Sequence, residues 1–173
     1  MDDYQSNSKN YFNQDLDSPI TVEEVAQAIK KLKNGKAPGL DGIINEIFKN
    51  ADEESHKHLC TLYNHIFNNE DFPEQWSRGL IFPLFKGGPD EARVDPNRYR
   101  GITLLSIVGK IYTSILNTRL YNWCDNNNIL VDEQCGFRKS RSTIDHIFTL
   151  TEIIKHRRPK KNLLRISRSY KGI

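Results

Sequence analysis

Apolar residues recur at helical spacing over residues 20–69, in three successive segments. The first segment opens with a capping box, because Thr21 is followed three residues later by Glu24. Its apolar positions are Val22, Val25, Ala26, Ile29 and Leu32. This spacing predicts an amphipathic helix that Gly35 ends. The second segment carries Ile43, Ile47 and Phe48, and the third covers about residues 55–69.

The period changes after residue 79. Residues 80–85 form a continuous apolar run of strand length, and Pro83 inside the run predicts an edge strand or a bulge. Residues 99–105 read as a second strand, and the polar residues 87–98 read as a long flexible loop. The pattern predicts a hairpin with Lys86 at one root and Arg98 and Arg100 at the other.

Helical spacing returns in the last third of the chain. One helix is predicted from Ser106 to about Asp125, where three asparagines break it. A second helix is predicted over about residues 144–154, with Ser142 or Thr143 as its cap. The expected fold class is therefore α+β, rich in helices, with one two-stranded hairpin.

Composition narrows the class of protein. No apolar run approaches the length of about 18 residues that a transmembrane helix needs, and the polar N-terminus does not resemble a signal peptide. We therefore expect an intracellular protein, nuclear or cytoplasmic, without a membrane partner. The three cysteines are few and widely spaced, so we expect buried or half-buried thiols. The five histidines show no metal-ligand spacing, and we expect structural or surface roles for them.

Charge is unevenly distributed. Residues 134–173 carry eleven Lys/Arg and two Asp/Glu, a net charge of +9, whereas the whole chain carries +3. The remaining residues therefore carry −6. A basic end on an acidic body indicates contact with a polyanion, although a solvated tail explains the charge equally well.

Three segments carry distinctive sequences, in this order. Residues 37–43 are Ala-Pro-Gly-Leu-Asp-Gly-Ile. Residues 76–86, followed by 99–106 and 109–111, form the second segment. Residues 134–145 are Gln-Cys-Gly-Phe-Arg-Lys-Ser-Arg-Ser-Thr-Ile-Asp. These segments resemble, in turn, the Pro-Gly-x-Asp-Gly block and the first and second fingers blocks of the reverse transcriptases of non-long-terminal-repeat (LINE-type) retrotransposons. The resemblance covers about residues 20–161.

This resemblance implies a right-hand polymerase fold, of which the chain would be the helix-rich fingers and the start of the palm. It also implies a division into domains. Residues 1–18 would be a linker, residues 19–161 the fingers and partial palm, and residues 162–173 an aberrant tail. One choice of codons for residues 163–173, read one nucleotide later, gives Phe-Tyr-Ala-Phe-Leu-Asp-Leu-Thr-Lys-Ala. That string resembles the family's first catalytic motif, so we expect a frameshift at this point; an unrelated exon or a genuine terminus is the alternative.

The resemblance also implies roles for individual residues. Lys86 and Arg100 would bind the incoming deoxynucleoside triphosphate, whereas without the resemblance ordinary strand-end charges are the favoured interpretation. The residues expected to contact the template are Gly39, Asp41, Gly42, Gln134, Gly136, Phe137, Arg138 and Arg141. Glycines allow close approach, an aromatic ring can stack on a base, and arginines neutralise phosphate. Core packing is the alternative for Phe137.

Family members extend a DNA or RNA primer on an RNA template with Mg²⁺, and carboxylates hold that metal. The family's Tyr-x-Asp-Asp motif does not occur in this sequence, so we expect no catalytic residue, no metal ligand and no activity of this chain alone. Two other outcomes stay open. The chain could be a non-catalytic basic RNA-binding module, or a pseudogene product that does not fold because apolar faces, such as that of residues 144–154, lack a partner.

Overall fold

The computed structural model describes residues 12–157, and within this range it contains seven helices and one two-stranded sheet. The expected helix-rich α+β class is confirmed. The helices are α1 (Gln14–Asp17), α2 (Val22–Lys30), α3 (Asn45–Lys49), α4 (Glu53–Asn69), α5 (Glu74–Ser77), α6 (Ile107–Asn126) and α7 (Thr143–Arg157). The strands are β1 (Gly79–Phe85) and β2 (Tyr99–Leu105). The chain divides into two compact units after Trp123. The tail predicted over residues 162–173 lies outside the described residues.

Helix α2 begins as predicted. The Thr21 hydroxyl accepts a hydrogen bond from the Glu24 amide at 3.2 Å, and the Glu24 carboxylate accepts one from the Thr21 amide at 2.9 Å. The helix ends at Lys30, earlier than the predicted stop at Gly35. The reason lies in α3. The side-chain amide of Asn45 donates to the carbonyl of residue 33 at 2.6 Å, and the Glu46 carboxylate accepts from the backbone amide of Gly35 at 2.6 Å. These bonds hold residues 33–35 outside the helix.

The core of the first unit is built mainly from α2, α4 and α6. Its largest fully buried side chains are Val25, Tyr63, Ile107 and Ile111. Complete burial of one such aliphatic side chain contributes about 1.5–3 kcal/mol. The other buried apolar residues are Ile20, Ala28, Ile29, Cys60, Ile66, Tyr112 and Ile115. The helical spacing of the sequence predicts most of this set.

Asn64 and Cys60 pair with the backbone of Ile20 at the edge of the core. The Asn64 side chain accepts from the Ile20 amide at 2.7 Å and donates to the Ile20 carbonyl at 2.8 Å. The Cys60 thiol donates to the same carbonyl at 3.1 Å, and burial raises the pKa of that thiol. The expectation for the cysteines is confirmed, because Cys60 is buried and Cys124 and Cys135 are half-buried.

An aromatic cluster joins α4, α5 and α6. The Tyr63 and Trp76 rings meet edge-on with centroids 6.2 Å apart, and Trp76 also lies 5.9 Å from the Tyr112 ring. Gly109 gives the indole its space, since a Cβ there would lie 3.1 Å from Trp76. Glycine at this position therefore allows Trp76 to pack closely against α6.

Strands β1 and β2 form an antiparallel hairpin with pairs running from Gly79↔Leu105 to Phe85↔Tyr99. Both strands are edges, which fits the prediction for Pro83. The connection differs from the expected flexible loop. It contains two 3₁₀ turns, Asp90–Val94 and Pro96–Arg98, and the Tyr99 hydroxyl donates to the carbonyl of residue 93 at 3.1 Å. Local hydrogen bonds that composition does not reveal give this connection its structure.

Helix α7 begins at the predicted cap. The Ser142 hydroxyl accepts from the Ile144 amide at 3.2 Å, and the Asp145 carboxylate accepts from the Ser142 amide at 2.6 Å. The apolar side chains of α7 are exposed, with Ile144 at 71% and Phe148 at 66%. Among the helices of residues 12–157, none combines the length and the apolar character that crossing a bilayer requires.

Candidate nucleic-acid interface

The hairpin brings together the two cations predicted to bind a nucleotide. Arg100 pairs with Leu84 in the register, and Lys86 directly follows the last residue of β1, where its amide extends the ladder by donating to the Arg98 carbonyl. Because side chains alternate across a strand, Lys86 and Arg100 lie on the same face. Both are exposed. Phe82 and Ile102, which pair with each other on that face, are also exposed, at 56% and 43%. The face therefore combines two positive charges with an apolar surface.

Lys86 is also held by the backbone of the hairpin tip. Its ammonium donates to the Asn97 carbonyl at 2.7 Å, and its amide donates to the Arg98 carbonyl at 2.8 Å. An ammonium has three donors, so one bond to a carbonyl leaves two for an anion. The side chain is thereby oriented while its charge stays exposed.

The opposite face of the hairpin stiffens the same end. The Phe85 and Tyr99 rings pair across the strands with centroids 5.3 Å apart, and the Arg93 guanidinium lies 5.2 Å from the centre of the Phe85 ring. Aromatic and cation–π pairs of this kind each contribute about 0.5–1 kcal/mol. The end of the hairpin that carries Lys86 is therefore more rigid than its polar sequence indicates.

The turn over residues 39–42 contains three of the predicted template residues, in two different environments. Asp41 and Gly42 are exposed, and the Asp41 carboxylate accepts from the Ile43 amide at 3.2 Å. Gly39 is buried. A Cβ on Gly39 would lie 2.6–2.7 Å from backbone atoms of Leu105 and Ser106. The structure thus gives Gly39 a packing reason to be glycine, and only the other two residues present their atoms to solvent.

The other five predicted template residues share one loop of the second unit, residues 131–142. Phe137 is fully exposed, with a relative accessibility of 107%, and its φ is +61°. A non-glycine residue in this left-handed region costs about 1–3 kcal/mol. Core packing within the described residues is therefore not the role of Phe137. Gln134 and Gly136, in the same loop, are also exposed. The side-chain amide of Gln134 donates to the backbone carbonyl of Gly136 at 3.4 Å.

The two arginines of this loop differ sharply. The Arg138 side chain is 12% exposed, and its Nη1 donates to the Val131 carbonyl at 2.9 Å. The Arg141 side chain is 38% exposed and contacts the Asp132 carboxylate at 3.2 Å. Asp132 itself is 89% exposed. Sequence reasoning missed this carboxylate, although an aspartate at the edge of a basic stretch is a recognisable signal for pairing.

Within residues 12–157, no group of three or more His, Cys, Asp or Glu side chains is arranged to hold a metal ion. In the first unit the candidate residues combine exposed cations with the exposed Phe82 ring, and in the second unit Arg141 and the exposed Phe137 ring share one loop. Such a combination suits phosphate and base contacts.

Comparison with known proteins identifies the family. The chain is 36% identical over 137 residues to the probable RNA-directed DNA polymerase from transposon BS of Drosophila melanogaster, which covers 79% of this chain. It is 31% identical over 142 residues to the probable RNA-directed DNA polymerase from transposon X-element of the same organism, and 30% identical over 130 residues to the polymerase from its mobile element jockey. These alignments cover 80% and 75% of this chain. No family model matches the chain.

The chain therefore belongs to the reverse transcriptases of non-long-terminal-repeat, LINE-type retrotransposons. It corresponds to a fragment of these proteins, since it spans only 14–15% of the length of the three relatives.

Proposed function

We propose that residues 19–161 are the fingers and the start of the palm of an RNA-directed DNA polymerase, and that they bind the template RNA and the incoming nucleotide. In this proposal residues 1–18 are a linker. The observation that carries the proposal is Phe137, an aromatic ring held fully exposed by a left-handed backbone conformation. The ring contributes nothing to core packing within residues 12–157, whereas stacking on a base contributes about 1–3 kcal/mol to binding a single strand.

The 131–142 loop would contact the template. Phe137 would stack on a base, Arg141 would neutralise a phosphate, and the exposed Gln134 and Gly136 would approach the backbone. Arg141 is paired with Asp132 at 3.2 Å, but an exposed pair of this kind is worth only about 0–1 kcal/mol. A phosphate can therefore replace the carboxylate at little cost. Asp41 and Gly42 form a further template contact in the first unit, where buried Gly39 sets the turn against the end of β2.

The hairpin face that carries Lys86 and Arg100 would bind the triphosphate of the nucleotide. Cations on adjacent strands can contact phosphate groups of one ligand, and the arginine fork suits bidentate contact. The apolar residues of the same face, Phe82 and Ile102, would lie beside the sugar or base. We propose that carboxylates elsewhere in the complete polymerase hold the Mg²⁺ of the reaction, so this chain alone is expected to be inactive. The primer, DNA or RNA, would likewise be bound by the complete polymerase.

Salt-dependent RNA binding tests the template assignment. The full chain would be titrated with fluorescent single-stranded RNA at several salt concentrations, as wild type, Phe137→Ala and Arg141→Ala. Phe137→Ala is expected to weaken binding about five- to a hundredfold without changing the slope of log affinity against log salt. Arg141→Ala should flatten that slope by about 0.7, the value for one phosphate on a single strand.

Lys155→Ala is the matched control for the loss of one charge. Lys155 lies in α7, outside the 131–142 loop, and pairs with Glu152 at 2.8 Å. Its removal should change affinity less than that of Arg141. Wild-type binding by both Phe137→Ala and Arg141→Ala would sink the template assignment.

A non-catalytic RNA-binding module is the second candidate, because the net charge of +9 over residues 134–173 alone favours RNA contact. It requires the 131–142 loop but has no use for the two cations of the hairpin. The nucleotide measurement described in the Discussion separates the two.

A further inference from the structure

Arg138 follows the exposed Phe137 directly, yet its own side chain turns inward. The side chain is 12% exposed, and its Nη1 donates to the Val131 carbonyl at 2.9 Å. One N–H group of the guanidinium therefore binds the backbone of its own loop. Little of its surface remains for an external ligand.

Carboxylates already balance the charge of Arg138. Its Nη2 lies 3.8 Å from Asp125, at the C-terminal end of α6, and its Nη1 lies 4.0 Å from Asp132. Both distances lie within the second unit. A phosphate that approached Arg138 would therefore meet two nearby carboxylates and compete with the Val131 carbonyl for the guanidinium. Arg141, by contrast, has one exposed carboxylate to exchange.

The hydrogen bond to Val131 closes a short loop. The Gln134 amide donates to the Val131 carbonyl at 3.1 Å, and the Arg138 amide donates to the Cys135 carbonyl at 3.4 Å, so two turns follow each other. The Arg138 side chain, at the end of the second turn, returns to the carbonyl that begins the first. Phe137 lies inside this closed segment. Its left-handed backbone needs such support, because that conformation costs about 1–3 kcal/mol.

We infer that Arg138 is a positioning residue, whose guanidinium ties residues 131–138 together and so holds the Phe137 ring outward, rather than a phosphate ligand. This inference rests on the proposed template-binding function of the loop. The two arginines then have different roles: Arg141 contacts an RNA phosphate, and Arg138 holds the loop in the conformation that exposes Phe137.

The salt dependence of RNA binding distinguishes these roles. A phosphate ligand contributes to the slope of log affinity against log salt, whereas a positioning residue changes affinity at constant slope. We expect Arg138→Ala to weaken binding of single-stranded RNA by the full chain about as much as Phe137→Ala, with the wild-type slope. The double variant should be little weaker than either single variant, because both lose the same contact.

Arg138→Lys sharpens the test, since it keeps the charge but loses the planar fork. Positioning predicts that Arg138→Lys binds as weakly as Arg138→Ala. A slope that falls by about 0.7 in Arg138→Ala, together with near wild-type binding by Arg138→Lys, would show phosphate contact and overturn the inference.

Hydrogen exchange of backbone amides supplies a measurement independent of RNA. In Arg138→Ala, exchange should accelerate across residues 131–138, while amides in the middle of α7 keep their wild-type rates. Unchanged exchange in the loop would overturn the bracing role even if RNA binding fell. If the proposed function fails, the result is different: Phe137→Ala and Arg141→Ala would both bind RNA like wild type. Hydrogen exchange would still show whether Arg138 holds residues 131–138 together.

Discussion

Arg119 and Glu24, ninety-five residues apart, form a two-pronged ion pair between α6 and the start of α2. The Nε and Nη2 atoms of Arg119 each lie 2.7 Å from a different carboxylate oxygen of Glu24. The Arg119 side chain is only 9% exposed and also donates to the carbonyls of Leu16, Ser18 and Pro19. One arginine thus attaches the segment before α2 to the helical core, including part of the predicted linker.

Replacing Arg119 with Met should destabilise the first unit by about 2–3 kcal/mol. The substitution leaves a half-buried carboxylate and several carbonyls without their charged donor, and hydrogen bonds to charged groups are worth about 1.5–3 kcal/mol. Urea unfolding followed by far-ultraviolet circular dichroism measures the loss.

Arg78→Met is the matched control for that substitution. Arg78 pairs with Glu74 one helical turn away, but both side chains are largely exposed, at 66% and 78%. Its loss should cost less than about 0.5 kcal/mol. Equal destabilisation by the two variants would contradict a structural role special to Arg119.

Stability should fall in acid partly through Glu24. The hydrogen bond from Arg119 is the largest cause that holds the pKa of Glu24 below its ordinary value; the Thr21 amide adds to this, and burial opposes it. A carboxyl whose pKa is depressed by folding stabilises the protein above its unfolded pKa of about 4.3 and loses that contribution as pH falls below it.

Glu24→Gln isolates this effect because glutamine does not titrate. The difference in unfolding free energy between wild type and Glu24→Gln should be constant above about pH 6 and shrink between about pH 5 and pH 3. Other carboxyls with depressed pKa values, such as Glu46 and Asp52, titrate in both proteins and cancel. A difference independent of pH would contradict the ion pair.

Gly39→Ala should disturb the join between the 39–42 turn and the end of β2. The new Cβ would lie 2.6 Å from the Leu105 carbonyl carbon, which cannot move away as a flexible side chain could. Overpacking of this kind costs about 1–3 kcal/mol. Gly136→Ala is the control, since nothing lies within 4 Å of its Cβ position. Thermal unfolding of both variants checks the prediction, and equal midpoints would contradict it.

Arg100→Ala should reduce nucleotide binding without affecting RNA binding. Photo-crosslinking of the full chain to an azido-substituted deoxynucleoside triphosphate in the presence of Mg²⁺ measures nucleotide binding. The titration with fluorescent single-stranded RNA measures RNA binding. We expect crosslinking to the hairpin to fall severalfold in Arg100→Ala and Lys86→Ala, because each removes a charge-assisted phosphate contact. Arg78→Met should crosslink like wild type. Unchanged crosslinking in both hairpin variants would favour the non-catalytic RNA-binding module.

The sequence predicts the elements well where local rules decide. The capping box of Thr21 and Glu24, the hairpin and the Ser142 cap of α7 are all present, because each depends on residues close in the chain. The predicted end of α2 was wrong by a few residues, because contacts from Asn45 and Glu46 determine where the helix ends. The Arg119–Glu24 pair could not be predicted either, because no local pattern links residues so far apart.

The candidate site shows the same limit. The sequence motif contains both Arg138 and Arg141, and because both are arginines it predicts the same role, contact with a phosphate, for each. Only the positions of Val131, Asp125 and Asp132 distinguish a braced arginine from an exposed one. The full exposure of Phe137 is likewise a property of the folded loop.

The proposed template site is the 131–142 loop, which would bind RNA through Phe137. Its most direct test is photo-crosslinking of the full chain to single-stranded RNA that contains 4-thiouridine, with the modified peptides identified by mass spectrometry. We predict that the dominant crosslinked peptide contains Phe137 and that Phe137→Ala abolishes this crosslink. Crosslinks confined to residues 12–123, with the peptide of the loop unmodified at saturating RNA, would show that this loop does not bind the template.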